Sequence, residues 1–247
     1  MAGALEGKRC LVTGGSRGLG LEFCLAFARA GARVSFTWHK HEQDAREART
    51  RIAAIGIEPL VFQGSVTDAA HARKTVDEVV SRWGGIDVLV NNAGITQVLP
   101  IALLEEEDWD LVMDVNVKGA YLCSRAALRH MIKARSGRIL NVGAFSSERV
   151  IESPVHFAAA KSALRGFTEA LAREVGRYGV TVNLIAPGML DVGMTQMLPQ
   201  HRIDEYISQC ALGRLGKAEE IARQAVFLVS DACSFMTGAK VVADGGL

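Results

Sequence analysis

The chain has 247 residues, of which 49% are hydrophobic and 22% charged, and its formal net charge is +1. This size suits one α/β domain with a sizeable core, and the near-zero charge gives no electrostatic basis for binding nucleic acid or an acidic membrane surface. The N-terminus lacks the apolar stretch of a secretory signal, and no apolar run reaches the about 18–20 residues that span a bilayer, so we expect a cytoplasmic protein with no membrane partner.

Short apolar runs alternate with longer amphipathic stretches along the chain. In chain order they predict strand 9–13, helix 19–30, strand 33–37, helix 41–55, strand 60–63, helix 69–82, strand 87–91, helix 105–133 with a kink near Gly119, strand 138–142, helix 157–178, strand 180–185, helix 218–230 and strand 240–242. This alternation is typical of parallel sheets covered on both faces. We therefore predict a single Rossmann-like, doubly wound α/β domain, with its ligand crevice at the carboxyl ends of the strands.

Five cysteines are spread along the chain without a C-x-x-C pair. Their odd number and wide spacing argue against a disulfide framework and against a zinc site. The sequence therefore predicts no metal centre.

A glycine-rich turn follows the first predicted strand and opens the first predicted helix. It reads Thr13-Gly14-Gly15-Ser16-Arg17-Gly18-Leu19-Gly20. Glycines let a backbone turn tightly and approach a pyrophosphate closely, and the free N–H groups of a helix start favour negative charge. The turn predicts a dinucleotide site; the other interpretation is a structural turn in a related fold without a nucleotide.

The residues at the end of the second predicted strand bear on the choice of dinucleotide. An acidic residue there holds an adenosine ribose diol and repels a 2′-phosphate, but the segment ends in Trp38-His39-Lys40 and contains no acid. Arg17, with His39 or Lys40, is suited to pairing with a 2′-phosphate. We expect NADP(H) rather than NAD(H), unless these cations are simply solvated.

Motifs along nearly the whole chain resemble those of the short-chain dehydrogenase/reductase family. They are TGGSRGLG, NNAG at 91–94, Asn116, the stretch FAAAK at 157–161 and PG at 187–188. Within the family the chain is most similar to 3-oxoacyl-acyl-carrier-protein reductases. The resemblance implies cofactor contacts at Gly14–Gly20, Ser65, Val66, Asn91, Ala93, Gly94, Lys161, Pro187 and Gly188, and it implies that Asn116 places a water beside Lys161 through a local helix distortion.

The same resemblance locates a departure at the catalytic centre. The family uses a serine, a tyrosine and a lysine, the last two as Y-x-x-x-K, so that a phenol with a lowered pKa protonates the alkoxide formed by hydride transfer. This chain has Phe157 and Ala144 at the tyrosine and serine positions, and it keeps Lys161 and Asn116. Val192 replaces a threonine that bonds the carboxamide in many members, and Ser65 replaces an aspartate near the adenine.

Three hypotheses account for this centre. The chain is an ordinary carbonyl reductase whose two hydroxyls were removed by engineering, or a natural enzyme with altered chemistry, or a non-catalytic cofactor-binding subunit that stabilises an active homologue. Under the second hypothesis the substrate brings its own polarisation, or a residue between Ala144 and Phe157 supplies the proton. The candidates are Ser146, Ser147, Glu148, Glu152 and His156, which are otherwise a polar surface loop.

The substrate is expected to contact a lid over residues 189–215. Its apolar residues, Met189, Leu190, Met194, Met197 and Leu198, suit a ketone or an acyl thioester, or they pack a lid helix. Arg202 and Arg214 are candidates for meeting a substrate borne on acyl carrier protein. From the resemblance we also expect a homotetramer, or a hetero-oligomer with a homologue, in which the helices starting near Glu105 and Phe157 form one interface.

Overall fold

A computed structural model describes residues 3–56, 58–149 and 152–247. Seven parallel strands form one sheet in the order β3-β2-β1-β4-β5-β6-β7. The strands are β1 Arg9–Val12, β2 Arg33–Trp38, β3 Leu60–Gln63, β4 Val88–Asn91, β5 Gly137–Val142, β6 Val180–Pro187 and β7 Lys240–Ala243. The predicted doubly wound architecture is confirmed, because the strand order reverses direction at β1.

Eight α-helices connect and cover the strands in the described part of the chain. They are α1 Gly18–Arg29, α2 Glu42–Ala53, α3 Ala69–Trp83, α4 Glu106–Met113, α5 Gly119–Ala134, α6 Val155–Val175, α7 Gln200–Gln209 and α8 Ala218–Val229. Residues of α1, α2 and α8 share one hydrophobic cluster with the sheet, and residues of α3, α5 and α6 share a second. Both faces of the sheet are thus buried, which explains the near-continuous apolar runs of its central strands.

The helical stretch predicted over 105–133, with a kink near Gly119, is observed as two helices that meet at that point. A π-helical turn at Asp114–Lys118 separates α4 from α5, and the Gly119 N–H bonds the carbonyl five residues back, at Asp114. The Asn116 side chain holds this distortion, because its Nδ2 donates to the carbonyl oxygens of Val112 and Ile95, each at 2.9 Å. π-Turns inside helices are often found at functional sites.

Two further differences concern the ends of one helix and the presence of another. Helix α6 starts at Val155 rather than at residue 157, and it ends at Val175 before a 3₁₀ turn at Gly176–Tyr178. Helix α7, in the lid region, was not among the predicted elements, because its run QHRIDEYISQ is mostly polar and only Tyr206 in it is buried. Ile203, Tyr206 and Ile207 do recur at helical spacing, but they cover only about one turn, which is too short a run for periodicity to indicate a helix.

The described helices include none that is both long and apolar enough to cross a membrane. Within residues 3–56, 58–149 and 152–247, no group of three or more His, Cys, Asp or Glu side chains is arranged to hold a metal ion.

Candidate active site

The predicted site residues lie at the carboxyl ends of adjacent strands. The glycine turn follows β1, Asn91–Gly94 end and follow β4, Ala144 follows β5, and Pro187 ends β6. Because β1, β4, β5 and β6 are neighbours in the sheet, these segments share one edge. At this edge the connections that follow β1 and β4 run in opposite directions along the sheet, and such a point is where ligands bind in open α/β sheets.

Glycine is required at specific points of the turn after β1. Gly14 and Gly18 have φ angles of +65° and +54°, values that side chains with a Cβ rarely adopt. A Cβ on Gly20 would lie 2.1 Å from the Gly14 carbonyl oxygen and 2.5 Å from Asn92 Nδ2. The turn is therefore closed on itself too tightly to admit any other residue at position 20.

Thr13 and Asn92 fasten the glycine turn to the end of β4. The Thr13 hydroxyl oxygen accepts from the backbone N–H groups of Asn92 and Ala93, each at 3.0 Å. Asn92 Nδ2 donates to the carbonyl oxygens of Thr13 and Gly14 at 2.9 and 3.1 Å. Neither residue was predicted as part of the site, although Asn92 belongs to the NNAG motif, from which the resemblance implied only Asn91, Ala93 and Gly94.

Helix α1 directs its N-terminus into this turn. Its N-cap residue, Arg17, makes no side-chain capping bond, and the first turn of α1 contains no acidic residue. The first N–H groups of such a helix have no partner within the helix, and they attract an anion. The residues Ser16, Arg17, Gly18, Leu19 and Gly20 thus fit a pyrophosphate.

The expected 2′-phosphate site contains a carboxylate that the sequence reading missed. Arg17 Nη1 lies 3.6 Å from Asp44 Oδ2, in the first turn of α2. His39 and Lys40 follow β2 and are exposed. Asp44 lies six residues beyond the end of β2, outside the strand end at which an acidic residue is expected. The three expected cations are therefore present, but the Arg17 guanidinium is already paired with the Asp44 carboxylate.

Ser65 and Val66 lie after β3, where the resemblance puts the adenine. The Ser65 hydroxyl is 2.8 Å from the Thr67 hydroxyl and accepts from the Thr67 N–H at 3.2 Å. Val66 is buried against the π-turn side of the site, because a Cβ on Gly119 would lie 2.7 Å from Val66 Cγ2. Their contact with a cofactor stays a prediction.

The Asn91 amide is used inside the protein. Its Nδ2 donates to Ser124 Oγ at 2.9 Å and to Asn141 Oδ1 at 2.8 Å, and Asn141 Nδ2 in turn donates to Thr168 Oγ1 at 2.8 Å. This buried polar chain joins β4 and β5 to α5 and α6. Asn91 thus stiffens the floor of the site, whereas Ala93 and Gly94 form its surface.

Lys161, Asn116 and Gly94 come together at the centre of the edge. Lys161 is 4% exposed, and its Nζ donates to the carbonyl oxygen of Val142 at 2.9 Å. A Cβ on Gly94 would lie 2.6 Å from Asn116 Oδ1 and 3.4 Å from Lys161 Nζ, so glycine keeps this space open. Asn116 Oδ1 is buried and accepts no hydrogen bond from the described residues.

Burial lowers the pKa of Lys161 to about 8, because a charged ammonium loses hydration in the interior. An open cradle, a free acceptor and a buried amine are what a ribose hydroxyl pair requires. These residues therefore fit the nicotinamide end of a dinucleotide, with Lys161 and Asn116 on the ribose side.

The side chains of Ala144 and Phe157 have no oxygen where the family has the serine and tyrosine hydroxyls. The ring of Phe157 lies one helical turn from Lys161, with its centroid 5.6 Å from Nζ. Ala144, two residues after the end of β5, is 8% exposed. Helix α6 therefore places the Lys161 ammonium and the Phe157 ring side by side, where the family has a lysine and a tyrosine.

The five polar residues between Ala144 and Phe157 divide into two groups. Ser147 Oγ donates to the Ala144 carbonyl at 2.8 Å, Glu148 pairs with Lys240, and Glu152 pairs with Arg202. Ser146 Oγ and both ring nitrogens of His156 are buried without a partner among the described residues. Burial lowers the pKa of His156, although Asp108 opposes this shift.

The lid is attached to the end of β7. Tyr206 of α7 is buried, and its hydroxyl donates to the Asp244 carbonyl at 2.7 Å. A Cβ on Gly188 would lie 2.1 Å from the Tyr206 oxygen, so the glycine after Pro187 lets α7 approach. Leu190 is buried and Val192 packs against the same cluster, which shows that the lid's first residues belong to the core.

The other apolar lid residues are less buried. Met189, Met194 and Leu198 are half-buried, and Met197 is 62% exposed. Arg202 pairs with Glu152 and Glu205, and Arg214 pairs with Glu220 at 2.8 Å. Both arginines proposed for a carrier protein therefore already have acidic partners.

Comparison with known proteins identifies the family. A family profile described as enoyl-(acyl carrier protein) reductase matches residues 14–247. The chain is 39% identical over 244 residues to the 3-oxoacyl-[acyl-carrier-protein] reductase FabG of Pseudomonas aeruginosa, covering 99% of this chain and 98% of that one. It belongs to the short-chain dehydrogenase/reductase family.

Two solved structures of similar proteins contain the cofactor. A short-chain dehydrogenase from Burkholderia cenocepacia in complex with NADP superposes with a TM-score of 0.92 at 36% identity, covering 98% of each chain. A blue fluorescent protein from a metagenomic library, in complex with NADPH, gives 0.90 at 33% identity, again over 98% of each chain. The family assignment and these neighbours support a nicotinamide cofactor in an oxidoreductase fold.

Proposed function

We propose that this chain is an NADP(H)-dependent reductase of the short-chain dehydrogenase/reductase family, acting on a ketone or a 3-oxoacyl thioester. The observation that carries the proposal is the meeting of Lys161, Asn116 and the Gly94 cradle beside the uncapped start of α1. When bound, the cofactor supplies or accepts a hydride. The rest of the chemistry belongs to the protein's own side chains.

Each part of the site has a distinct task in this reaction. The glycine turn binds the pyrophosphate through backbone N–H groups, and Lys161 and Asn116 orient the nicotinamide ribose. Leu190, Val192 and Phe157 exclude water from the reacting carbonyl. Without a hydroxyl at Phe157, the loss of the acid lowers the rate by about 10²–10⁴. Without one at Ala144, the loss of a hydrogen-bond donor to the carbonyl oxygen lowers it by about 10²–10³, and the two losses need not multiply.

Preference for NADP(H) is part of the proposal. His39 and Lys40 follow β2, Arg17 immediately precedes α1, and the two cofactor-bound relatives contain NADP or NADPH. Arg matches phosphate oxygens in a bidentate way, whereas Asp44 competes for the same guanidinium. Fluorescence titration with NADPH and NADH tests the preference, and tighter binding of NADH would contradict it.

Restoring the hydroxyls tests the reaction. We expect the double variant Ala144→Ser with Phe157→Tyr to raise kcat/KM for NADPH-dependent reduction of 3-oxoacyl thioesters or ketones by at least ~10². A matched control adds the same two oxygens elsewhere on α6, as Ala163→Ser with Phe167→Tyr, and leaves the rate unchanged. No gain on any carbonyl substrate would contradict the proposed reaction.

A non-catalytic role is the second candidate. The replaced hydroxyls favour it, and so do exposed apolar side chains on α4 and α5, namely Trp109, Leu111 and Tyr121, which suit a subunit interface. Such a chain binds NADPH and stabilises a homologue with an intact serine and tyrosine. Light scattering and co-purification separate the two: a homotetramer with its own turnover excludes this role.

A further inference from the structure

We infer that the Lys161 ammonium is itself the acid that protonates the substrate oxygen in this chain, in place of a phenol. The inference rests on the proposed function, since it names the proton donor for that reduction. It assigns to Lys161 a direct chemical step in addition to holding a ribose.

Geometry is the first support. An ammonium has three N–H donors, and one of them is used by the Val142 carbonyl. The other two make no hydrogen bond to the described residues, and the nitrogen lies beside the Gly94 cradle and the Phe157 ring. A donor in this position reaches a bound oxygen directly or across one water molecule.

The surrounding charges are the second support. The titratable or charged groups on the elements packed against α6, and on α6 beside Lys161, are Glu106, Glu107, Asp108, Asp110, Asp114, Lys118, Glu148, His156, Arg177 and Tyr178. Asp114 pairs with Lys118, Glu148 pairs with Lys240, and Asp108 accepts from Gln97 at 2.7 Å. Burial alone lowers the pKa of Lys161, to about 8, which is close to the value that favours a general acid near neutral pH.

The step balances without another reactant. The carbonyl carbon receives a hydride with its two electrons, and the C=O π pair moves onto the oxygen. An O–H bond forms as an N–H bond of Lys161 breaks, which leaves a neutral amine. The nicotinamide is oxidised, the carbonyl is reduced to an alcohol, and a solvent proton restores the ammonium.

The first experiment does not depend on turnover. The chain has eight lysines, so ¹³Cε-lysine labelling gives a small set of NMR signals, and Lys161 is assigned by the signal missing in Lys161→Arg. In cofactor-free protein we expect its titration midpoint near 8. A midpoint at the ordinary value of about 10.4 would overturn the inference.

The second experiment is a double-mutant cycle in kcat/KM. Arginine keeps the positive charge but does not release its proton, so Lys161→Arg is expected to lower reduction by at least ~10² in the native background. In the Phe157→Tyr background the phenol is the acid, and the same change lowers the rate by less. Equal losses in both backgrounds would overturn the inference; Lys133→Arg, at an exposed site on α5, is the matched control.

Two outcomes separate this inference from the proposed function. Turnover that is absent in the native chain and arises only with the restored hydroxyls supports the proposed function but overturns the inference, because the ammonium then does not suffice. Native turnover that survives Lys161→Arg but is lost in Ser146→Ala or His156→Gln also overturns it. The native rate is expected to fall tenfold per pH unit above about pH 8.

Discussion

The phosphate-binding end and the reacting end of the crevice are built differently. Around the glycine turn, four hydrogen bonds of 2.9–3.1 Å join Thr13 and Asn92 to each other, to Gly14 and to Ala93. At the reacting end, Asn116 Oδ1, Ser146 Oγ and the two ring nitrogens of His156 are buried and have no hydrogen-bond partner among the described residues. The phosphate-binding end is therefore a tightly hydrogen-bonded backbone turn. The reacting end contains buried polar groups that need a ligand or solvent as hydrogen-bond partners.

The largest effect is expected from a substitution in the glycine turn at the phosphate-binding end. Gly20→Ala places a Cβ 2.1 Å from the Gly14 carbonyl oxygen, so the turn must open, and NADPH affinity is expected to fall by at least ~10² with a stability loss of about 3 kcal/mol. Fluorescence titration and chemical denaturation measure both. Gly166→Ala, in α6 with open space around its Cβ, is the control and is expected to stabilise by about 0.5–1 kcal/mol; similar behaviour of the two variants would contradict the tight-turn argument.

The next effect belongs to the reacting end and depends on pH. Burial lowers the pKa of Lys161 from 10.5 to about 8, so between these values the unfolded chain binds a proton that the folded chain releases. The contribution of Lys161 to the free energy of unfolding is therefore lowest below about pH 8. It rises by ~3 kcal/mol toward pH 10.5 in the cofactor-free protein.

Lys161→Met is expected to lack this rise. Subtracting its unfolding free energies from those of the native chain across pH 7–10.5 isolates the contribution, and Lys133→Met at an exposed site is the control. Parallel curves for the native chain and Lys161→Met would show that the buried amine is solvated as in the unfolded chain.

A smaller effect is expected at the joint between β1 and β4. Thr13→Val keeps the shape but removes the oxygen that accepts from the Asn92 and Ala93 N–H groups. Leaving partly buried donors without an acceptor is expected to lower the unfolding free energy by ~2 kcal/mol. Thr50→Val, at an exposed site on α2, is expected to change it by less than about 0.5 kcal/mol, and an equal effect of both variants would refute the proposed joint.

The smallest effect concerns cofactor choice. Asp44→Asn removes the carboxylate that lies 3.6 Å from Arg17, which leaves the guanidinium to a 2′-phosphate. We expect the ratio of NADPH to NADH affinity to rise about two- to five-fold, and the gain to shrink with salt because Arg17 is exposed. Asp110→Asn on α4 is the control; an unchanged ratio in Asp44→Asn would place the 2′-phosphate elsewhere.

Several site residues were predictable because their chemistry depends on local sequence. Gly14, Gly18 and Gly20 are required by backbone geometry within one turn, and a Lys four residues after Phe157 shares its helix face. Asn116 was singled out by the family resemblance, and the π-turn that it holds was expected only as a helix distortion. Asn92 and Asp44 escaped notice because their importance comes from contacts with Thr13 and Arg17, which lie 79 and 27 residues away in the sequence.

The amino-acid sequence by itself determined the alternation of strands and helices, the glycine turn and the absence of hydroxyls at Ala144 and Phe157, because periodicity, backbone freedom and side-chain composition are local properties. Only the tertiary structure decided that Lys161 is buried against the Val142 carbonyl, that Asn116 bonds Ile95, and that Tyr206 closes on Gly188. Those facts depend on which segments the parallel sheet brings to one edge, and burial by distant segments is what changes the chemistry of a lysine.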